Sequence, residues 1–583
     1  MSTPLRWQRR ALSHADLPSV PPLLARLYAA RGVRTESELA MTLAALQPAS
    51  SLHGLTAAIE LLVQALHEQW RILVVGDFDA DGATSTALSL RALRAMGAQH
   101  VDYLVPNRFT YGYGLTPGIV ALALSEKQPQ LIITVDNGIA SHEGVAAAQA
   151  AGVRVLITDH HLPGATLPPA DAIVNPNQAD CDFPSKALAG VGVVFYVLSS
   201  LRTRLRDDGW FAAQGIAEPN MANYLDLVAL GTVADVVALD ANNRRLVQQG
   251  LARIRAGRCC PGITALLRVA ERDIASLVAS DLGFVVAPRL NAAGRLDDMR
   301  EGIECLLCDD PAEAKRMAED LDALNLERRE IEAGMQNEAM AAMRELTISE
   351  ENLPPGLVLY DRHWHQGVIG LLAGRIKERF HRPTVAFAPA QAPAYGEMPS
   401  ELKGSARSIP GVHIRDVLDA MATKNPGLIT RFGGHAMAAG MSLPSTQLAA
   451  FRLAFEETLR EWVPPEAYDA VLLTDGELSA SELNEQTAYL IRDAGPWGQA
   501  FPEPLFEGEF LCLGQRLLKD KHIKFSLCHP ESNRVIDGIA FGVDRALWPN
   551  LKCERIRVAY RLDINRFRGM ETLQLRIEAM QAL

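Results

Sequence analysis

Long apolar runs are missing from this chain, and none approaches the roughly 20 residues that a helix needs to cross a bilayer. The opening stretch Met1-Ser2-Thr3-Pro4-Leu5-Arg6-Trp7 lacks the apolar core of a secretory signal. Cysteine is scarce: 8 in 583 residues exclude a disulfide framework. Cys305 and Cys308 form a C-x-x-C pair, but no second pair completes a zinc site. A heptad seam is also absent, so a monomer is expected. Together these absences point to a reduced, cytoplasmic protein with no membrane partner. An excess of positive charge is missing too, since the formal net charge is −12. Nucleic-acid binders usually carry a basic face, yet net charge does not report local distribution. A nest of acidic metal ligands would itself add negative charge.

What is present is a long, ordinary globular composition, 48% hydrophobic and 22% charged, enough for three or four domains. From about residue 55 to 240, short apolar β-branched runs alternate with Ala- and Leu-rich helical stretches. Arg71–Gly76, Leu131–Val135, Val153–Thr158 and Ala172–Val174 read as strands. That alternation predicts a parallel sheet covered on both faces, with ligands bound at the carboxyl ends of its strands.

Acidic and imidazole residues stand at those ends. The first strand runs into Asp77, Asp79 and Asp81, and Leu131–Val135 runs into Asp136-Asn137-Gly138. Val153–Thr158 runs into Asp159-His160-His161, and an apolar helical run, Tyr224–Gly231, leads to Asp235. Carboxylates so close together repel one another unless a cation neutralises them. Carboxylates with imidazole and no thiolate suit Mn²⁺ or Mg²⁺ better than structural zinc.

A long helix is predicted over Ala312 to Leu346, followed by a second α/β pattern from about Leu353 to Trp462. This module holds Gly404-Ser405-Ala406-Arg407 and Gly433-Gly434-His435. Paired glycines let backbone N–H groups approach an anion, and the Arg407 fork suits phosphate oxygens. Beyond about 465, five short strand-like runs fit a small barrel of the OB type. Lys519, Lys521, Lys524, Lys552, Arg555, Arg557, Arg561, Arg566 and Arg568 recur there among Phe525, Phe541, Tyr560 and Phe567. Cations with aromatics match a groove for single-stranded nucleic acid, although a charged barrel surface over core aromatics has the same composition.

Gly76-Asp77-Phe78-Asp79-Ala80-Asp81-Gly82, Val135-Asp136-Asn137-Gly138, Asp159-His160-His161 and Val233-Ala234-Asp235 resemble the four motifs of the DHH phosphoesterases. Pyrophosphatases of that group carry His four residues before the first Asp of D-x-D, where this chain has Val75. Ser280-Asp281-Leu282-Gly283-Phe284, Pro288-Arg289-Leu290-Asn291-Ala292-Ala293-Gly294-Arg295 and His363-Trp364-His365-Gln366-Gly367-Val368-Ile369-Gly370 resemble segments of its exonuclease branch.

The resemblance implies an α/β multidomain protein with these boundaries: a helical lead-in over 1–50, a catalytic domain over 51–300 and a connecting long helix over 301–350. A smaller α/β accessory domain over 351–463 and an OB-like barrel over 464–583 complete it. It implies 5′-to-3′ degradation of single-stranded DNA to mononucleotides, in recombination and repair, with two divalent cations, Mn²⁺ or Mg²⁺. Asp136 is expected to bridge the ions, Asp79 and Asp81 to hold one, and His160 and Asp235 the other. Asp77 is a further candidate ligand. His161 orients a ligand or bonds a phosphate oxygen, and Asp159 fixes an imidazole tautomer. Arg289, Asn291, His365, Ser405, Arg407, Gly433, Gly434 and His435 are the expected substrate contacts. Single-strand-binding protein and a helicase are the implied partners. A phosphodiesterase for short oligonucleotides or cyclic dinucleotides, and a non-catalytic single-strand-binding scaffold, are the alternatives.

Overall fold

The structure, a computed structural model, describes residues 6–106, 114–345, 353–391, 399–519, 521–545, 547–567 and 569–583. Leu346 and Arg568 lie outside them. The chain divides into two units. One comprises Met1–Gln8 with Leu324–Leu473; the other comprises Arg9–Ala323 with Thr474–Leu583.

The expected helical lead-in is largely not helical. A strand β1 (Arg6–Arg9) comes first, the α-helix is confined to Pro22–Ala29, and Glu36–Leu39, Leu43–Ala45 and Ala49–Ser51 are single 3₁₀ turns. Pro18, Pro21, Pro22 and Pro48 remove backbone donors at intervals too short for longer helices.

The larger unit is built on five parallel strands: β2 (Ile72–Gly76), β3 (Val101–Leu104), β4 (Leu131–Val135), β5 (Arg154–Thr158) and β6 (Ala172–Val174). Their order is β3-β2-β4-β5-β6. The direction of strand succession therefore reverses between β2 and β4, and a crevice opens there at the carboxyl ends. Both faces are covered. Leu73, Val75, Ile132, Val155 and Ile157 pack beneath the helices Pro117–Glu126 and His142–Ala150. Burial on both sides explains why β2 and β4 read as unbroken apolar runs.

The smaller unit carries a mixed sheet of β7 (Leu357–Tyr360), β8 (Thr384–Pro389), β9 (Glu401–Arg407), β10 (Arg431–Gly434) and β11 (Ala438–Pro444), in the order β10-β11-β9-β8-β7. The predicted 301–350 helix is two helices, Arg300–Leu307 and Pro311–Glu345. Cys308 turns extended between them, Pro311 takes the first helical turn, and Asp310 Oδ1 accepts from Ala312 N and Glu313 N. The boundary between the units falls inside the second helix, so that helix is not a domain of its own.

A strand β12 (Val471–Thr474) pairs with β1. The barrel follows as β13 (Phe506–Leu518), β14 (His522–Cys528), β15 (Val535–Ala540), β16 (Arg555–Phe567) and β17 (Met570–Ala582). It closes in the order β13-β14-β15-β17-β16, antiparallel throughout except for β15 with β17. Phe525 and Tyr560 are buried in the barrel core, and of the expected groove aromatics Phe541 is exposed. Lys524, Arg555, Arg557, Arg561 and Arg566 each pair with a nearby carboxylate. For those residues the structure favours the charged barrel surface over the interleaved groove.

Candidate active site

The turn after β2 is shaped by its own carboxylates. Asp77 Oδ1 accepts from Phe78 N at 2.7 Å, and Asp79 caps the helix Ala80–Ala95, its Oδ1 accepting from Asp81 N and Gly82 N at 3.0 Å each. Asp81 is the second residue of that helix and points elsewhere. Its two oxygens accept from Gly190 N at 2.6 Å and Val191 N at 3.0 Å, at the positive end of the helix Gly190–Asp207. Gly231 leaves room for it: a Cβ there would stand 2.7 Å from Asp81 Oδ1.

Asp136 is the first residue beyond β4 and takes a left-handed backbone, φ 62°. Such a conformation costs energy in a non-glycine residue and marks strain held at a functional position. Gly190 permits the close approach, because a Cβ there would stand 2.6 Å from that of Asp136. Asn137 fastens the crevice, donating to Val75 O at 3.1 Å and Val135 O at 2.9 Å. His160 Nε2 stands 3.1 Å from Asp136 Oδ1 and 3.4 Å from Asp235 Oδ2. Asp159 Oδ1 bonds His161 Nδ1 at 2.7 Å, and its Oδ2 accepts from Ile139 N.

Among the described residues, three sets each bring their ligand atoms within 4.8 Å of one another: Asp77, Asp79 and Asp136; Asp81, His160 and Asp235; Asp136, His160 and His161. The grouping differs from the expected one in a specific way. Asp81 stands with His160 and Asp235, while Asp79 stands with Asp77 and Asp136. The helix that begins between Asp79 and Asp81 turns their side chains to different sides. Asp136 belongs to sets on both sides.

These donors fit divalent cations. Burial, then the charge of Asp79, pushes the Asp81 carboxyl up to about 7. Burial, then Asp81 and the other carboxylates, holds Asp136 and Asp235 well above the usual carboxylate range. Asp235 Oδ2 is buried and accepts no hydrogen bond from any described residue. Cations at this place would remove both the repulsion and the unmet acceptor. Asp159 behaves oppositely. Burial works against its ionisation, but the bond and charge of His161 prevail and lower its pKa. The same pairing outweighs burial at His161 and raises that imidazole to about 9.

The expected substrate contacts separate. Asn291 Oδ1 accepts from Ala80 N at 2.8 Å, and Gly294 lets its helix rest on Phe78 O, 2.0 Å from where a Cβ would be. Asn291 therefore holds the Asp77–Asp81 turn. Asn291→Ala is expected to weaken Mn²⁺ binding about 10-fold by titration calorimetry, and unchanged affinity would remove it from that support. Arg289 donates to Val285 O at 2.6 Å and pairs with Asp322 at 2.8 Å.

In the smaller unit, Arg407 Nη1 donates to Ser405 Oγ at 3.0 Å, and its Nη2 would stand 2.8 Å from a Cβ on Gly370. Burial lowers the Arg407 pKa. Gly433 pairs with Gly440, which in turn pairs with Ser405, and Gly434 turns through φ 145°. His435 N donates to Ala438 O, and His365 Nδ1 accepts from Gly367 N.

Sequence reasoning missed Asn137, Asn175 and Asn177. The last two donate to His161 O at 2.9 Å and His160 O at 2.6 Å and fix the histidine loop. Their signal was the Asn175-Pro176-Asn177 turn directly after β6.

The pattern of the DHH family, N-terminal domain, matches residues 71–232; the DHHA1 domain matches 354–461, and the RecJ OB domain 474–579. A protein of Dickeya dadantii named single-stranded-DNA-specific exonuclease RecJ is 56% identical over 584 residues, covering 100% of both chains. Its namesake in Escherichia coli is 55% identical, covering 99% of each. The crystal structure of RecJ with Mn²⁺ from Thermus thermophilus superposes with a TM-score of 0.80 at 31% identity, covering 99% of this chain and 79% of that one. The same protein with Mg²⁺ gives a TM-score of 0.74. With this identity along its whole length, and with all three domain patterns in order, the chain belongs to the RecJ family.

Proposed function

We propose that this chain degrades single-stranded DNA from the 5′ end by hydrolysing its phosphodiester bonds. The observation that carries the reading is the convergence of Asp77, Asp79, Asp81, Asp136, His160 and Asp235 on one crevice of the parallel sheet. The relatives' shared name, single-stranded-DNA-specific exonuclease, supports the substrate class.

Asp77, Asp79 and Asp136 are the residues to hold one cation, and Asp81, His160 and Asp235 the other, with Asp136 placed to reach both. Bound Mn²⁺ or Mg²⁺ supplies Lewis acidity at the phosphate and a water acidic enough to act as nucleophile near neutral pH. The residues contribute position and protons. Asp159 fixes the His161 ring through Nδ1 and favours its cationic form, which suits that ring to bind a phosphate oxygen. Asn137, Asn175, Asn177 and Asn291 hold the loops that carry these groups. Ser405, Arg407, Gly433, Gly434 and His435 form the phosphate-gripping face of the accessory domain. The chain then works in the cytoplasm as a monomer, beside single-strand-binding protein and a strand-opening helicase. Among the described residues no single helix is long and apolar enough to cross a membrane.

The experiment compares one oligonucleotide labelled at either end, as single strand and as duplex, beside a dinucleotide, all with Mn²⁺. Labelled mononucleotide is expected at once from the 5′-labelled single strand and late from the 3′-labelled one. Early release from the 3′ end refutes the polarity, equal attack on the duplex refutes the strand preference, and a preference for the dinucleotide assigns a different phosphodiesterase.

A further inference from the structure

We propose that Phe284, with Val236 beside it, is a stacking platform for one base of the DNA strand at the rim of the catalytic centre. The inference rests on the single-strand exonuclease reading and names a contact that reading lacks.

Phe284 is 83% exposed, and Val236 is 62% exposed. Both sit in backbone that costs energy to form. Phe284 occupies the middle of a π-helical turn, Leu282–Val286, whose other apolar side chains Leu282, Val285 and Val286 are buried. Val236, a β-branched residue, takes a left-handed φ of 61°. The two segments meet. A Cβ on Gly283 would stand 3.0 Å from Val233 Cγ1 and 3.6 Å from Val233 O, and Val233 O accepts from Val236 N. Asp235, a member of the ligand set with Asp81 and His160, lies inside that turn. Consecutive Cα atoms are about 3.8 Å apart, so the Phe284 ring is anchored within a side chain's reach of the turn.

The bulge is also braced. Arg289 Nη1 donates to Val285 O at 2.6 Å while its Nη2 pairs with Asp322. A costly backbone shape, held by a partly buried arginine, presents an aromatic ring to solvent next to the turn that carries Asp235. Packing gains nothing from that arrangement, and strain of this kind clusters where it serves binding. The occupant it fits is a nucleobase. Every base offers a π face, so a single aromatic ring adds affinity without reading sequence, as an enzyme degrading any strand requires.

The test uses the full chain. Oligonucleotides carrying 2-aminopurine at successive positions from the 5′ end are bound in EDTA, which prevents hydrolysis. Quenching by the wild type is expected at one position, lost in Phe284→Ala and kept in Phe284→Trp. With Mn²⁺, Phe284→Ala is expected to raise KM about 5- to 100-fold with a smaller change in kcat. An abasic nucleotide at the quenched position should raise KM for the wild type and leave that of Phe284→Ala unchanged. An unaltered melting temperature, as the exposure of the ring implies, excludes misfolding. Equal quenching and equal KM in wild type and Phe284→Ala overturn the platform. Full recovery by Phe284→Leu also overturns it, since an apolar surface of any kind, such as a protein-docking patch, would then suffice. A wild type that leaves the unmodified strand intact overturns the exonuclease reading and the platform with it.

Discussion

Replacing Asp136 by asparagine is expected to slow strand degradation by roughly 10⁴-fold and, at the same time, to raise the melting temperature of the cation-free protein. Asparagine keeps the side chain's size and tolerates the left-handed backbone that Asp136 adopts. The loss of rate follows from its place in ligand sets on both sides of the crevice. The gain in stability follows from electrostatics. Burial and the neighbouring carboxylates raise the folded-state pKa of Asp136 above its unfolded value. Its contribution to stability is therefore complete below the ordinary carboxylate range and is lost as pH rises through the folded value. The advantage of Asp136→Asn in EDTA should accordingly grow as pH rises above the ordinary carboxylate range. Mn²⁺ should stabilise the wild type increasingly over the same rise, and the variant far less. Melting curves in EDTA and Mn²⁺ at several pH values check both. A variant less stable than wild type in EDTA at pH 8 would refute the repulsion argument, and a variant with full activity would refute the ligand assignment.

The second large effect lies far from the chemistry. Arg31→Met is expected to cost about 3–5 kcal/mol in urea unfolding. Arg31 and Asp475 are both buried and joined through two bonds, Nη1 to Oδ1 at 2.8 Å and Nη2 to Oδ2 at 3.0 Å. Arg31 also donates to Leu27 O and Pro502 O, and its guanidinium lies 5.1 Å from the Trp497 ring centre. Removing it strands the Asp475 carboxylate, whose other donor is Leu505 N at 2.9 Å and whose remaining cation, Arg10, stands at 3.8 Å. The double variant Arg31→Met with Asp475→Leu should recover much of the loss, because an apolar pair of similar volume leaves no stranded charge. A single variant as stable as the wild type would show that water reaches the pair.

The catalytic sheet was legible because both faces of β2, β4 and β5 are buried, which writes them as short unbroken apolar runs between helices. Strand β3 was missed. Its Val101-Asp102-Tyr103-Leu104 is short, lies at the sheet edge and carries a charge in its middle. The acidic positions could be read from strand ends, but their partition could not. Whether Asp81 faces Asp79 or Asp235 depends on the helix rotation that starts at Asp79, and nothing in D-x-D spacing encodes it. The barrel teaches a different lesson. Ile523, Phe525 and Leu527 alternate along β14 and all point inward, so the period of 2 already marked Phe525 as core. Reading aromatics by proximity to cations obscured that pattern. The Asn291 support was illegible, since it joins residues 211 positions apart.

The unit that carries the catalytic sheet is discontinuous, interrupted by Leu324–Leu473. Arg31 meets its carboxylate partner 444 positions later. At a translation rate of about 5–20 residues per second, that separation is roughly 20 to 90 seconds of synthesis. The intervening segment Leu324–Leu473 leaves the ribosome while the guanidinium still waits in water for its counter-ion. Closure of the larger unit at this pair thus comes late in synthesis, and the segment that carries Arg31 has the longest wait for its partner.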